Sequence, residues 1–436
     1  MKTARQAALE SLLKVDCAHG YSNIVIDKVL EETGLSGADR GFACALFYGV
    51  IERRMKLDYI ISQYAKLPLG KMKPAVVEIL RIGIYQLLYM ESVPEPAAVN
   101  ECVKLAKTNR AGTESGFINA VLRAFIRDGK LVSFPQSWSY EEKLSVDYSC
   151  PLWLISLWKA QYGAVDAHKL TISTVEQGRI YLRVNSLKTD SETLVKKLAE
   201  DGIEADICER IDFCVWVKPG GNLVKTGAFE EGLFHVQDLS SQICAAALGA
   251  KNGQVILDLC AAPGGKSFTV AQTAPQAEIY ACDLYQSRLS LIDNTSNRLG
   301  ISNIKTLVSD ATVLNPLMPE ADVVLCDVPC SGFGIIRKKP EIKYKKSSEI
   351  DILPDVQRRI LEAGAQYVKP GGRLIYSTCT LNKKENEKVC AAFEKQNADF
   401  KRSPVGAGYL QSEITLMPHK DDTDGFFISA FEKAGK

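Results

Sequence analysis

The chain has 436 residues, so more than one hydrophobic core is expected. It is 46% hydrophobic and 24% charged, which is typical of a globular protein, and its net charge of +1 excludes a strongly basic surface over the whole chain. No apolar run is long enough to cross a bilayer and the N-terminal sequence has no secretory signal, so we expect a cytoplasmic protein without membrane contact. Thirteen cysteines without a regular spacing are expected to be reduced thiols.

The first 135 residues predict a helical domain. Apolar side chains recur every three or four positions, for example in FACALFYGVIERRMKLDYIISQY (42–64) and AVVEILRIGIYQLLYMESV (75–93). Helices and loops of ordinary length would give roughly six to eight helices. We therefore predict an all-α N-terminal bundle over residues 1–135.

The next stretch, residues 136–234, mixes the two periodicities. RIYLRVN (179–185) and FCVWVK (213–218) alternate as strands do, and SETLVKKLAEDG (191–202) predicts a helix that ends at Gly202. These elements predict a small α+β module, with an RRM-like arrangement.

From residue 235 to 436 the pattern becomes that of an α/β domain. Five short apolar strands are separated mostly by 20 to 40 residues: QVILDL, EIYACDL, IKTLVSD, DVVLCDV and RLIYSTC. Such spacing is typical of parallel crossovers in a doubly wound, Rossmann-like sheet. Ligands of such sheets bind beyond the carboxyl ends of the strands, so candidate site residues should follow each strand.

The loop after the first of these strands, LDLCAAPGGKS (257–267), ends as a phosphate-binding P-loop does. A P-loop requires a glycine at the position of Cys260, and the dinucleotide pattern G-x-G-x-x-G is also absent. The loop alone leaves open a tight structural turn or a ligand cradle. The candidate cradle residues are Cys260, Ala261, Ala262, Pro263, Gly264, Gly265 and Lys266.

Three carboxylates follow the next three strands. Asp283 is placed to accept hydrogen bonds from ribose hydroxyls, Asp310 to reach an adenine edge, and Asp327 ends the fourth strand. A triphosphate would favour cations at these positions, whereas an adenosine with a cationic sulfonium suits carboxylates. The pattern therefore predicts S-adenosylmethionine as cofactor, with Lys266 directed towards the second substrate.

Two thiols follow strands four and five. These strands are neighbours in a methyltransferase sheet, so Cys330 and Cys379 should share one cleft. A cysteine near a strand end is more often a small buried apolar residue, and we expect this of Cys260, Cys282 and Cys326. No C-x-x-C pattern with a nearby histidine supports a zinc site, so no metal is predicted.

A thiolate beside a methyl donor suits methylation of carbon 5 of a pyrimidine. Addition of the thiolate to carbon 6 makes carbon 5 nucleophilic, and an acid near ring nitrogen 3, here Asp327, would stabilise the adduct. Amino-group methyltransferases carry an aromatic residue where this chain has Cys330. The position therefore favours carbon, not nitrogen, as the methyl acceptor.

CAAPGGK (260–266), DVPCSGFG (327–334) and STCTLNKKENE (377–387) resemble the signatures of RNA cytosine-5 methyltransferases. DRGFACALFYGVIERR (39–54) and FINAVLRA (117–124) resemble the NusB-like domain of the Sun/Fmu branch, also called RsmB. This resemblance implies an enzyme that methylates carbon 5 of cytosine 967 in bacterial 16S rRNA. The resemblance covers nearly the whole chain.

The resemblance implies a role for each matched residue. Cys379 corresponds to the nucleophile and Cys330 to the thiol that assists release of the product, while Asp283, Asp310 and Asp327 would complete the donor contacts. Thr380 stands where relatives often have serine, and both carry a hydroxyl. The basic stretch RKKPEIKYKK (337–346) is predicted to contact phosphates.

The expected partner is RNA, specifically 16S rRNA, and the expected state is a monomer. Two alternatives stay open: a cytosine in tRNA or elsewhere in rRNA as the target, and a non-catalytic RNA-binding assembly factor. An NTPase is the least supported, because the loop lacks the first P-loop glycine.

Overall fold

The computed structural model describes residues 2–18, 22–109, 111–218 and 221–435, with the side chains of 16–18 excepted. Contacts between Cα atoms divide the chain into two compact units. Unit 1 contains Met1–Glu176 and Ile336–Tyr344, and unit 2 contains Gln177–Ile335 and Lys345–Lys436. The short segment Ile336–Tyr344 therefore packs with a different unit from the residues on either side of it.

Unit 1 is helical throughout its described part. Its α-helices are α1 (Ala4–Ala18), α2 (Ser22–Thr33), α3 (Gly37–Glu52), α4 (Arg54–Tyr64), α5 (Pro74–Tyr89), α6 (Glu95–Thr108), α7 (Ser115–Arg127), α8 (Tyr140–Asp147), α9 (Leu152–Tyr162) and α10 (Ala164–Ser173). Short 3-10 helices cover Leu69–Lys71, Gly112–Glu114 and Pro340–Tyr344. In the described ranges, no helix is long and apolar enough to cross a membrane.

Helix α5 is the centre of the N-terminal bundle. Eleven of its residues are buried, which is typical of a helix surrounded by other helices. It begins at Pro74, whose fixed φ suits the first turn and whose missing N–H has no partner to lose there. The predicted all-α bundle is confirmed, with seven α-helices in the described part of residues 1–135.

The segment Ile336–Tyr344 is held against the end of α3. Lys343 is completely buried, and its Nζ donates to the carbonyl oxygens of Glu52 at 2.9 Å and Tyr148 at 3.4 Å. The hydroxyl of Tyr344 donates to the carbonyl of Ile51 at 3.0 Å. These acceptors include the last carbonyls of α3, which lack partners within the helix and attract a cation.

This burial contradicts part of the prediction for the basic stretch. Lys343 faces carbonyl oxygens of unit 1 and not solvent, and burial lowers its pKa to about 8. Lys338 and Lys346 are exposed, so phosphate contact remains a prediction for them. The sequence shows the charge of a lysine but not its burial, because the partners of Lys343 are backbone oxygens that any sequence supplies.

Unit 2 begins with a four-stranded antiparallel sheet. Its elements are β1 (Ile180–Val184), α11 (Ser191–Glu200), β2 (Ala205–Ile207), β3 (Cys214–Val217), α12 (Gly227–Glu230) and β4 (Phe234–Val236). The strand order is β2-β3-β1-β4. This βαββαβ succession is that of a ferredoxin-like module. β2 and β4, with three residues each, are too short to have been predicted from alternation.

The rest of unit 2 forms a second, larger sheet with helices between its strands. Its elements are α13 (Leu239–Ala247), β5 (Val255–Asp258), α14 (Gly265–Thr273), β6 (Glu278–Asp283), α15 (Gln286–Leu299), β7 (Ile304–Val308), β8 (Ala321–Asp327), α16 (Ser347–Ile350), α17 (Leu353–Tyr367), β9 (Val368–Thr378), α18 (Glu387–Gln396), β10 (Phe400–Arg402), β11 (Glu413–Leu416), α19 (Pro418–Asp421) and β12 (Phe426–Lys433).

The order of this sheet is β10-β12-β9-β8-β5-β6-β7, with β11 paired to β12. β5 to β9 are the five predicted strands, and all pairs among them are parallel. Their carboxyl ends therefore lie along one edge, and the order reverses between β5 and β8, where ligands of such sheets bind. The multidomain fold class is confirmed, although the antiparallel strands β10, β11 and β12 were not predicted.

The boundaries at 135/136 and 234/235 stay predictions. By contacts, α8, α9 and α10 belong with the helical unit and not with the small sheet, because they pack on one another and α8 packs on α4. β4 also extends the small sheet to Val236, beyond the proposed end of that module.

Gly83 marks a close approach of α5 to its neighbours. A Cβ at this position would lie 2.8 Å from both Cδ atoms of Leu122 and 3.2 Å from Sγ of Cys102, and both neighbours are completely buried. We predict that Gly83→Ala lowers the free energy of unfolding by about 1–3 kcal/mol through overpacking.

Gly41→Ala is the matched control, because this helix-interior glycine of α3 has no neighbouring atom within 4 Å of the added Cβ. It should raise stability by up to about 1 kcal/mol. Chemical denaturation followed by circular dichroism measures both, and equal effects of the two substitutions would contradict the packing explanation.

Candidate active site

The two predicted thiols meet at the carboxyl edge of the large sheet. β8 and β9 pair in parallel with Asp327 opposite Ser377, so the loops that follow both strands start side by side. Sγ of Cys330 lies 3.3 Å from Sγ of Cys379. Both side chains are half-buried, so the pair is neither solvated nor sealed in the core.

The pKa values of the two thiols are shifted in opposite directions. The hydrogen bond with Cys330 lowers the pKa of Cys379, although burial and Asp327 oppose ionisation, and the Lys266 cation assists it. The same hydrogen bond, together with burial, raises the pKa of Cys330 well above its ordinary value. Because the thiolate is the reactive form of cysteine, these directions favour the prediction that Cys379 is the nucleophile, which stays a prediction.

A buried ion pair lies beside the thiols. Nζ of Lys266 is 2.5 Å from Oδ2 of Asp327, and the lysine side chain is only 11% exposed. Burial by itself would lower the pKa of Lys266, but the charge and hydrogen bond of Asp327, together with Cys244 and Asp258 nearby, outweigh it and the pKa is raised. Oδ1 of Asp327 accepts a hydrogen bond from the Ser377 hydroxyl at 2.7 Å.

These contacts bear on the expectations about charge. Lys266 was predicted to be directed towards the second substrate, and its Nζ contacts Asp327, the residue predicted to lie near ring nitrogen 3 of that substrate. The direction of Lys266 stays a prediction. Arg288 likewise forms an ion pair with Asp283 at 2.9 Å. Two of the three carboxylates therefore have a cation of the chain beside them, which weakens the charge argument for a cationic ligand.

The candidate cradle for the methyl donor, residues 260–266, is called the donor loop below. It forms a tight turn between β5 and α14. Gly264 has φ +103°, and a Cβ there would lie 2.4 Å from Cζ of Phe268, so glycine is required. The amide of Ala261 donates to the carbonyl of Cys282 at 2.7 Å, which ties the loop to β6. The guanidinium of Arg288 donates to the carbonyl of Ala262 at 2.7 Å.

The loop lies over a buried carboxylate, Asp258, at the end of β5. Oδ2 of Asp258 accepts from the Ser267 hydroxyl at 2.7 Å, and its side chain is nearly inaccessible. Oδ1 has no hydrogen-bond partner among the described residues. Burial raises the pKa of Asp258 to about 7.

The other two strand-end carboxylates differ from each other. Asp283 is the last residue of β6, is buried, and also accepts from the amide of Tyr285. Asp310 does not end its strand as predicted, because β7 ends two residues earlier at Val308. Asp310 is exposed and accepts from the amide and hydroxyl of Thr312 at 2.8 and 2.7 Å, as a turn residue does.

The residues that hold this site in place were not predicted from the sequence. Arg288 and Ser377 contact the predicted carboxylates, and a buried network around Glu385 joins the two thiol loops. The STCTLNKKENE signature contains Ser377 and Glu385, but it does not say which neighbours they bind.

The remaining cysteines fit the structural expectation. Cys282 and Cys326 are completely buried within strands, and Cys260 is half-buried in the donor loop. All cysteines whose side chains are described are free thiols, and Cys17 lies outside that set. In the described ranges, no group of three or more His, Cys, Asp or Glu side chains could hold a metal ion.

Family comparisons match all three parts of the chain. Residues 2–127 match the NusB family, residues 150–222 match the RsmF/B-like ferredoxin-like domain, and residues 245–432 match the 16S rRNA methyltransferase RsmB/F family. The probable ribosomal RNA small subunit methyltransferase B of Bacillus subtilis (strain 168) is 35% identical to this chain, over 99% of both proteins. The chain belongs to the ribosomal RNA small subunit methyltransferase B family.

Solved structures agree with this family in fold. The crystal structure of PH0851 covers 99% of this chain and 98% of its own chain, with 27% identity and a TM-score of 0.84. The crystal structure of NSun6 from Pyrococcus horikoshii with SFG covers 66% and 99%, with 24% identity and a TM-score of 0.60.

Membership of this family confirms three predictions. The chain is an S-adenosylmethionine-dependent rRNA methyltransferase, its N-terminal bundle is NusB-like, and RNA is its substrate. The residues that act in the reaction stay predictions.

The raised pKa of Asp258 predicts a pH-dependent stability of the ligand-free protein. Between the ordinary pKa of 3.8 and about 7 the folded state holds a proton that the unfolded state has lost, so stability falls as pH rises through this window. Asp258→Asn mimics the protonated form. Its stability relative to the wild type should therefore rise by about 4 kcal/mol from pH 4 to pH 8.

Asp310→Asn is the control with the opposite sign. Hydrogen bonds from Thr312 lower the pKa of Asp310, so its loss should cost stability above the unfolded pKa and not below it. Denaturant titrations across this pH range measure both differences. A flat difference for Asp258→Asn would contradict the buried-acid explanation.

Proposed function

We propose that this enzyme transfers a methyl group from S-adenosylmethionine to carbon 5 of a cytosine in 16S rRNA, at position 967, through a covalent bond between Cys379 and carbon 6. The observation that supports this chemistry is the thiol pair of Cys379 and Cys330, 3.3 Å apart beside the Lys266–Asp327 ion pair. A nitrogen or oxygen acceptor would not need a thiolate at this place.

Residues at the carboxyl edge of the large sheet fit S-adenosylmethionine, the proposed methyl donor. Asp283 at the end of β6 supplies acceptor oxygens for ribose hydroxyls, as expected in this class of sheet. The unpartnered Oδ1 of Asp258, buried beneath the donor loop, is an acceptor of the kind that a bound ligand would complete. We assign the donor loop to residues 260–266, and Asp310 is the least supported contact because its oxygens serve a local turn.

In the proposed reaction, Cys379 attacks carbon 6 of the cytosine ring. The S–C bond forms as the π electrons of the C5–C6 double bond move to carbon 5. When bound, S-adenosylmethionine would supply the methyl group: carbon 5 would bond to the methyl carbon as the S–CH3 bond breaks and the sulfonium becomes a neutral thioether. A base then removes the carbon 5 proton, the electrons restore the double bond, and the S–C bond to Cys379 breaks. Cys330 lies in contact with the departing sulfur and assists this release.

Asp327 is proposed to lie near ring nitrogen 3, where negative charge develops in the adduct. A lone carboxylate would repel that charge. The contact with Lys266 keeps the pair neutral overall, so Asp327 can orient the base without this repulsion. We therefore assign Lys266 to charge compensation at the base.

The proposed RNA target implies a cytoplasmic site of action. The matched NusB-like bundle and the exposed Lys338 and Lys346 are the surfaces that we propose for RNA contact. Such cations position the phosphate backbone without reading the sequence.

Substitution of the two thiols should have opposite effects on a covalent complex. Cys379→Ala should abolish methyl transfer and form no adduct, while it retains donor binding. Cys330→Ala should still form the bond to carbon 6 but release it slowly, so a protein–RNA band should accumulate on a denaturing gel. Radiolabelled methyl donor and an rRNA fragment provide both measurements.

Cys102→Ala is the matched control, because this completely buried cysteine of α6 belongs to unit 1, whereas both thiols belong to unit 2. It should leave no stable adduct. Turnover by Cys379→Ala would contradict the nucleophile assignment, and the absence of a band with Cys330→Ala would contradict its role in release.

The target is tested by bisulfite sequencing of RNA from a strain that lacks the gene. We expect one cytosine of 16S rRNA, position 967, to lose its protection. Wild-type protein should restore protection, and Cys379→Ala should not. Loss of protection in tRNA or at another rRNA cytosine would favour those targets. An unchanged map, with no donor binding in a titration, would favour an assembly factor.

A further inference from the structure

Glu385 is a carboxylate without access to solvent at the centre of the two thiol loops. Its side chain is completely buried, and it follows Cys379 by six residues. Within the described residues its carboxylate accepts from neutral donors and pairs with no cation, unlike Asp327 and Asp283. A buried charge of this kind is tolerated only when several hydrogen bonds satisfy it.

Four hydrogen bonds reach the two oxygens of Glu385. Oε2 accepts from the amide of Ser331 at 2.8 Å and from Nε2 of Gln357 at 2.9 Å. Oε1 accepts from the hydroxyl of Ser331 at 2.6 Å and from Nδ2 of Asn382 at 2.8 Å. The carboxylate thus joins the residue next to Cys330 to the loop that carries Cys379.

Two further contacts strengthen the same connection. The Ser331 hydroxyl donates its proton to Glu385, so the Thr380 hydroxyl, 2.6 Å away, must donate to Ser331. Nε2 of Gln357 also donates to the carbonyl of Pro329 at 3.0 Å, on the other side of Cys330. The residues before and after Cys330 are therefore both tied to one network, and Thr380 keeps the hydroxyl that this network requires.

Glu385 also acts on Cys330 through its charge. The hydrogen bond with Cys379 and burial are the main causes that raise the pKa of Cys330, and the nearby charge of Glu385 acts in the same direction. A protonated Cys330 can donate to Cys379, which is the contact that stabilises the Cys379 thiolate. The hydrogen bonds of Glu385 place Cys330 beside Cys379, and its charge favours a protonated Cys330. Both effects favour the contact that stabilises the Cys379 thiolate.

We infer that Glu385 is a positioning residue for the methylation reaction: it holds the Cys330 loop at hydrogen-bond distance from Cys379. This inference rests on the proposed function of the thiols. Glu385 touches neither of them directly and is not a catalytic residue.

The test is the pH profile of alkylation of Cys379 by iodoacetamide in the ligand-free, full-length protein, read by mass spectrometry. Glu385→Gln replaces one carboxylate oxygen with an N–H₂ group, which faces two hydrogen-bond donors that it cannot accept from. The Cys330 loop should therefore detach, and the Cys379 thiolate should lose its hydrogen bond from Cys330. We expect the midpoint of the profile to move up by about one pH unit, with alkylation at neutral pH about tenfold slower.

Glu387→Gln is the matched control, since Glu387 is half-buried in the first turn of α18, two residues further on. Its profile should equal that of the wild type. Ser331→Ala is the second variant, in case Glu385→Gln does not fold. It removes the hydroxyl between Glu385 and Thr380 but keeps the carboxylate, and it should shift the midpoint in the same direction by a smaller amount.

Single-turnover methylation of an rRNA fragment separates this inference from the proposed function. A shifted midpoint with slower adduct formation and unchanged RNA affinity supports the positioning role. An unchanged midpoint in folded Glu385→Gln or Ser331→Ala overturns it, even if the wild type methylates RNA normally. A shifted midpoint with a wild type that does not methylate would overturn the proposed function and leave the positioning of the thiols standing.

Discussion

The parallel pairing of β8 with β9 is the constraint on which the site depends. Because Asp327 lies opposite Ser377, both strands end at the same level of the sheet. Cys330 follows Asp327 by three residues, and Cys379 follows Ser377 by two. A shift of this register by one residue would separate the strand-end residues by about 3.3 Å along the strands. The thiol contact, the hydrogen bond from Ser377 to Asp327 and the Glu385 network each join these two strands or the loops that follow them, so none of them survives such a shift.

Around this pairing, the site keeps its charges in compensated groups. Lys266 lies against Asp327, Arg288 lies against Asp283, and Glu385 is surrounded by neutral donors. Buried ions are stable only with such partners, because the loss of hydration is costly. Asp258 is the exception, since burial raises its pKa towards neutrality and one oxygen lacks a partner in the described chain. The proposed site of the methyl donor thus includes a buried carboxylate, Asp258, with one oxygen that lacks a hydrogen-bond partner among the described residues. At the proposed site of the cytosine base, the carboxylate of Asp327 is paired with Lys266.

The sequence predicted the parts of the molecule that local pattern determines. The helices of the N-terminal bundle and strands β5 to β9 have long apolar repeats, and the nearness of Cys330 and Cys379 followed from the order of a doubly wound sheet. Contacts between distant segments were not predictable in this way. Lys343 was predicted to contact phosphates, although backbone oxygens of unit 1 bury it, and the ion pair between Lys266 and Asp327 was not predicted. The three-residue strands β2, β4 and β10 are too short for periodicity to distinguish them from loops. Glu385 lay within a recognised signature, but its four donors come from three different segments.

The segment Ile336–Tyr344 has a consequence for how this polypeptide can be divided. The chain passes from unit 2 to unit 1 immediately after the Cys330 loop and returns at Lys345, whose Nζ binds the carbonyl of Ser331. Unit 1 is therefore discontinuous, and no single cleavage separates the two units intact. A fragment that ends at Glu176 would leave the carbonyls of Glu52 and Ile51 without the lysine and tyrosine that satisfy them. Recombination between related genes meets the same obstacle, because a helical domain inherited at one crossover point would lack the nine residues that complete it.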